Sequence, residues 1–163
     1  MITKAILPPR KGYVEKINPI TGEHYYYKIC TKVGTVHRKV VISRSGIFRA
    51  SENFSNFTIT LIGAGGAISG GQNGSSGETV SEKLKIYPNT PYNISIGQAG
   101  SNGTSGGPTS FGGLLMAFGG QSGTPSNSKP LVIDGIEYGR GETLDAPATN
   151  GICIIEYDEP IYE

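Results

Sequence analysis

No tryptophan occurs among the 163 residues, and there are only two cysteines, two histidines and two methionines. Two cysteines far apart in sequence, Cys30 and Cys153, close at most one bridge, which excludes a disulfide framework. Cys153 lies in the apolar run ICII and reads as a buried free thiol, which predicts folding in a reducing cytoplasm. Neither charge sign forms a long block, and 14 basic against 13 acidic side chains leave a net charge of +1. That balance lacks the basic footprint of a nucleic-acid binder. No stretch approaches the ~20 apolar residues of a membrane-crossing helix. The opening MITKAILPPRKG has too short an apolar run before Pro8 and Pro9 for a signal peptide.

Chemistry-bearing patterns are equally scarce. A phosphate-binding loop needs Gly-Lys-Ser/Thr, which never occurs. Leu61 to Gly66 (LIGAGG) follows a strand and imitates a dinucleotide-binding turn, but AISGGQNGSSG has no helical periodicity to supply the helix N-terminus that would hold a pyrophosphate. His24 and His37 have no cysteine or acid at ligand spacing, so they read as ordinary surface or core histidines and no metal is expected. Carboxylates are scattered without a motif, and no catalytic residue or cofactor is assigned.

Glycine is what the chain has in excess: 25 of 163 residues, about 15% against a usual ~7%. Glycine and proline together make about 21%, below the ~25–30% of unstructured low-complexity chains. Apolar clusters between the glycines point to a folded, mostly β protein. Gly71, Gly74 and Gly77 recur every third residue, as do Gly97, Gly100, Gly103 and Gly106. A period of three is neither the 3.6 of a helix nor the 2 of a strand. It matches an extended left-handed helix of the polyproline II type, where every third residue returns to one side. Either run alone is also loose-loop composition, but two runs separated by strand-like sequence favour packing. On that reading Gly100 and Gly103 both face a neighbouring backbone with no room for a Cβ.

Strand signals surround these runs. Tyr13 to Ile17 and His24 to Ile29 flank NPITGE and predict a hairpin, and Thr35 to Ser43 a further strand. In Tyr25-Tyr26-Tyr27, alternate side chains point to opposite faces, so carbohydrate stacking is a weaker reading than core or interface. Phe57, Ile59 and Leu61 alternate with Thr58 and Thr60 as in a half-buried strand. Thr79 to Tyr87, Tyr92 to Ile96 and Gly151 to Tyr157 predict more strands, and Leu114 to Phe118 a short buried one. Asp134-Gly135 between Leu131-Val132-Ile133 and Ile136-Glu137-Tyr138 is the strongest hairpin signal.

The order of these motifs, SGIF, FTITLIGAGG, KLKIYPNTPYNISIGQAG, TSFGGLLMAFGG and NGICIIEY, resembles the glycine-rich domain of bacteriophage tail-fibre and tail-tip adhesin proteins over about residues 45 to 157. In that family a GxFxxP strand leads into a glycine block, then PGxxYxVxVGxGG, then a TSFG motif, and a closing GIVIIEW. Here the glycine block is thinner, the proline after the first strand is missing, and Tyr157 replaces the final tryptophan. The resemblance implies a glycine-rich β-sandwich-like domain at residues 45–163, with polyglycine/polyproline II-type segments; residues 1–44 fall outside it and read, from their hairpin signals and the composition change near Ser45, as a small N-terminal β-hairpin module. The resemblance also implies a non-enzymatic virion component, assembled in the host cytoplasm, that displays polar loops to a host-surface carbohydrate or protein. A purely structural virion protein, such as a head fibre or tail scaffold, is the alternative. The receptor-binding candidates are Gln72, Asn73, Gln98, Ser101, Asn102, Gln121 and Asn127, small-residue loops whose amides offer donors and acceptors. Further expectations are a homo-oligomer, with a trimer favoured, attachment to other virion proteins through residues 1–44, no nucleic-acid partner and no membrane insertion.

Overall fold

A computed structural model describes residues 13–17, 20–21, 24–28 and 32–163. Cys30 and the side chains of Tyr25, Tyr26 and Tyr27 lie outside the described residues. The chain divides into two compact units, residues 1–35 with 160–163, and residues 36–159. In the first, β1 (Tyr13–Ile17) pairs antiparallel with β2 (His24–Lys28), Tyr13 opposite Lys28, as the turn signal between them predicts.

The second unit is built on two four-stranded sheets. One has the order β3-β12-β5-β6: β3 (Lys32–Ile42), β12 (Ile152–Tyr162), β5 (Ser55–Ile62) and β6 (Thr79–Lys83). The other has the order β4-β7-β8-β9: β4 (Gly46–Phe48), β7 (Tyr92–Ser95), β8 (Thr109–Phe111) and β9 (Leu115–Ala117). A separate hairpin pairs β10 (Leu131–Ile133) with β11 (Ile136–Tyr138). Asp134 and Gly135 turn it with φ of 50° and 77°, the double left-handed step that a two-residue hairpin loop requires.

Between the sheets, period-2 alternation puts Phe57, Ile59 and Leu61 of β5 and Cys153, Ile155 and Tyr157 of β12 in one core with Tyr92, Ile94, Phe111 and Ala117. With no tryptophan to fill the space, six rings form a chain. Tyr92 stacks on Phe111 with centroids 5.3 Å apart, Phe111 meets Phe48, Phe48 meets Phe57 edge-on at 6.2 Å, and Phe57 meets Tyr157, which stacks on Phe54 at 4.5 Å. Two expectations are corrected here. The strand from Thr79 ends at Lys83. The run Leu114 to Phe118 is not buried throughout: β9 is an edge strand, and while Ala117 is buried, Leu114, Met116 and Phe118 are exposed.

Beyond one end of the sandwich the strands run on into the glycine-rich segments, and these form a second core. β5 continues as residues 63–67, and β7, β9 and β11 continue outward as 97–100, 118–121 and 139–142. Residues 73–78, 104–107 and 149–151 return to β6, β8 and β12. The hydrogen bonds repeat every third residue. In the central segment Gly63 and Gly66 donate to Glu78 and Ser75, Ala64 and Ala67 donate to Gly107 and Thr104, and Gly65 donates to Thr149. In return the carbonyls of Ala64 and Ala67 accept from Gly120 and Gly123, that of Gly65 from Gly100, and that of Gly66 from Glu142. These bonds measure 2.7–3.1 Å and reach six different segments.

The six neighbours also bond to one another in a closed ring. Gly74 and Gly77 donate to Glu142 and Gly139, Thr149 to Arg140, Gly151 to Gly97, Gly107 to Gln98, Gly106 to Gly120, and Ser75 and Glu78 to Gln121 and Phe118. Seven three-residue-per-turn segments thus pack as a hub with a rim of six. Buried loops ordinarily leave polar backbone stranded, and here each segment satisfies its neighbours. The hub reads GAGGA because two of its three faces meet backbones too closely for a Cβ, while the third holds the buried methyls of Ala64 and Ala67. A Cβ on Gly63, Gly65 or Gly66 would overlap the carbonyls of Phe118, Arg140 or Gln121. Each hydrogen bond contributes about 1 kcal/mol net, and leaving a buried group unpaired costs about 1–3 kcal/mol. The hub's nine bonds therefore outweigh the extra ~0.5–1 kcal/mol of chain entropy that each glycine loses on folding.

Candidate functional site

The far end of this bundle is made of turns. Ser69 to Gln72 closes with reciprocal backbone bonds of 3.0 Å, Gly70 and Gly71 having φ of 57° and 76°. In the turn 101–104, Thr104 N–H donates to the Ser101 carbonyl at 3.0 Å, and Ser101 N–H donates to Thr104 Oγ1 at 3.0 Å. Gly123 turns the third, with its N–H on the Ala67 carbonyl. Thr143 and Ala146 exchange backbone bonds in the fourth. Ser69 stands among them: a Cβ on Gly103 would come 3.5 Å from Ser69 Oγ, and one on Gly123 2.8 Å from its carbonyl oxygen. Glu142 Oε2 accepts the Ile68 N–H at 2.8 Å and so joins the hub's end to the fourth turn. Arg140 steadies that turn by donating to the Pro147 carbonyl at 2.9 Å while pairing with Glu137.

The tip brings together five of the seven predicted residues. Gln72, Ser101 and Asn102 sit on the turns themselves, Asn73 and Gln121 at their bases, and all five are exposed. Gln98 lies on the flank of the bundle, its Nε2 donating back to the Ile96 carbonyl, and Asn127 lies in the connection to β10. An open groove of roughly 610 Å³ runs beside that connection, with Gly77, Gly119 and Gly120 among its lining and Ser76, Thr124 and Lys129 beside them. Leu144, 88% exposed at the fourth turn, is a tip residue that sequence reasoning missed. The pair Gly139 and Gly141 leading to it was the available signal.

The three-residue runs also receive a correction. Gly74, Gly77, Gly97, Gly100 and Gly106 occupy bundle positions where a Cβ would overlap a carbonyl, but Gly71 and Gly103 are turn residues with positive φ. GQAGSNGTSG is therefore two antiparallel segments with a turn between them, and Gly103 is glycine for its φ of 77°, not for lack of space.

Away from the tip, the titratable groups have structural explanations. Cys153 is fully buried, and burial pushes its thiol up to about 12, so it stays protonated, a buried free thiol as the ICII context predicts. His37 on β3 lies 3.0 Å from Asp158 and 3.6 Å from Glu156 on the neighbouring β12, contacts that sequence spacing did not reveal. The hydrogen bond with Asp158 raises the His37 pKa above its ordinary 6.5, against a smaller desolvation effect. Among the described residues, no three His, Cys, Asp or Glu side chains gather as metal ligands.

No curated protein matches this sequence. The sequence model of the glycine-rich domain family matches residues 43–157, from the end of β3 through the whole bundle to Tyr157 of β12. The match covers well over half of the chain, and the protein belongs to the glycine-rich domain family.

Proposed function

We propose that this chain is a non-enzymatic bacteriophage tail-fibre or tail-tip component that presents the bundle's turns to a host-surface carbohydrate or protein, while residues 1–44 attach it to other virion proteins. The observation that carries the reading is the gathering of Gln72, Asn73, Ser101, Asn102 and Gln121 at one exposed end of a bundle whose backbone is hydrogen-bonded on every side. A rigid backbone lowers the ordering cost of binding, and amide and hydroxyl side chains supply the donors and acceptors that a sugar hydroxyl or peptide group needs. The motif order resembling phage adhesins supports the same reading. Assembly as a homo-oligomer, a trimer for preference, belongs to it, because multivalent display raises avidity without new contacts.

The test uses virions that carry the chain. Antibody against it should decorate a distal end of the particle, and the double variant Gln72→Ala/Gln121→Ala should lower adsorption to host cells with an unchanged melting temperature. Normal adsorption by that variant, with the antibody bound along a shaft or on the head, would instead favour a purely structural virion protein.

A further inference from the structure

Three asparagines precede glycine in this chain, at Asn73-Gly74, Asn102-Gly103 and Asn150-Gly151. Such a pair is chemically labile, because glycine has no Cβ to hinder attack of its own backbone nitrogen on the preceding carboxamide. The three pairs are close to equivalent as sequence, and the fold makes them different. Gly74 N–H is held on the Glu142 carbonyl and Gly151 N–H on the Gly97 carbonyl, both at 3.0 Å and both within the bundle. The Asn150 carboxamide is held as well, its Oδ1 accepting the Ala99 N–H at 2.8 Å. At the tip, neither the Gly103 N–H nor the exposed Asn102 carboxamide has a partner among the described residues. Only the small turn 101–104 holds that pair in place.

We infer that Asn102-Gly103 is a self-modifying site, the one place on the bundle where an asparagine converts to aspartate or isoaspartate in the native protein. In the first step the Gly103 backbone nitrogen forms a bond to Asn102 Cγ and loses its proton. The Cγ–Nδ2 bond breaks, and the nitrogen leaves with that proton as ammonia. Water then opens the cyclic imide at either carbonyl, adding its hydroxyl to that carbon and a proton to the released nitrogen. Ring closure turns the Asn102 Cα–C and Cα–Cβ bonds to bring the Gly103 nitrogen onto Cγ, and at this site that rotation opens only the bonds between Ser101 and Thr104. The same rotation at Asn73 or Asn150 requires opening the bundle. The product carries a new negative charge on the exposed tip, and the isoaspartate form adds a methylene to the turn's backbone.

Peptide mapping by mass spectrometry, after incubation of the folded protein in mildly alkaline buffer, tests the inference. Conversion at Asn102 is expected to outpace that at Asn73 and Asn150 by about tenfold or more, the range that protection by local structure readily provides. In denaturant the three sites should convert at similar rates, which assigns the difference to the fold. Faster conversion at Asn73 or Asn150 in the folded protein, equal rates at all three, or an unchanged ranking in denaturant would each overturn it.

Discussion

The sandwich and the bundle bury their chains by opposite means. In the sandwich the interior is side chain: six aromatic rings and a set of branched aliphatics remove apolar area from water, at about 25 cal/mol per Å². In the bundle the interior is backbone, and the largest buried side chains of the hub are the methyls of Ala64 and Ala67. One core is hurt by removing atoms, the other by adding them. Thr109 stands where the two meet: it is fully buried in β8, and its Oγ1 accepts the N–H of Gly97 as the bundle begins.

The largest expected effect comes from truncating the sandwich. Phe111→Ala, at a fully buried ring that stacks on Tyr92 and meets Phe48, should cost about 3–5 kcal/mol in denaturant unfolding. Gly66→Val should cost about 1–3 kcal/mol or more by overpacking, because its Cβ would overlap the Gln121 carbonyl. The comparison sharpens with Ala64→Gly, which deletes a fully buried methyl from the hub and should cost only about 1 kcal/mol. If Gly66→Val melted like the wild type, the idea of a backbone core would be lost.

A smaller contrast lies within one glycine run. Gly100→Val should destabilise by about 1–3 kcal/mol, since its Cβ would meet the Thr104 carbonyl. Gly103→Val has room beside Ser69 but carries a φ of 77°, and strain alone should cost about 1–2 kcal/mol. Gly103→Asn separates the two causes, because asparagine tolerates the left-handed region. Thermal melts of the three variants should place Gly103→Asn closest to wild type, and equal losses for Gly103→Asn and Gly103→Val would point to crowding at that turn instead. Asn102, at φ 50°, owes its residue type partly to the same backbone demand, so Asn102→Ala should cost somewhat more than Ser101→Ala.

The smallest effect is a pH dependence at the edge strand. Protonated His37 is stabilised by Asp158 and Glu156, so its folded pKa lies above the unfolded 6.5. The contribution is complete below about pH 6.5 and is lost as pH rises through the raised value. Melting temperatures followed across that window should fall slightly on the alkaline side, and His37→Gln should flatten that step. A step of the same size in His37→Gln would assign it elsewhere.

Much of the strand framework was legible. The alternation in Phe57 to Leu61, the Asp134-Gly135 turn and the closing GICIIEY each announce a strand or hairpin through side-chain pattern, and each is found. The bundle was legible only as a period. That Gly65 donates to Thr149 leaves no mark in either residue's neighbourhood, because the bond joins two main chains and any small residue serves. For the same reason the period ran unbroken across Gly103: a turn and a helix face both ask for glycine, one for its dihedral angle and the other for its missing Cβ. Turn composition is what placed Gln72, Ser101 and Asn102 on loops, and the structure has them on turns at the bundle's end. Leu144 was missed because a lone exposed leucine carries no signal of its own, and only Gly139 and Gly141 ahead of it mark the turn.

The hub has a consequence for how the molecule comes to be made. Residues 63–67 leave the ribosome well before Thr149, and their six partners emerge one after another over the following stretch of synthesis. Until the last of them arrives, the hub has donors and acceptors facing water where the finished ring will stand, and no early subset of segments can close around it. Such dependence on distant pairings makes folding slow and all-or-none. A chain truncated before β12 should therefore lose the whole bundle at once, and a nascent chain paused there would carry its glycine segments as loose coil, exposed to proteases until the final strand is added.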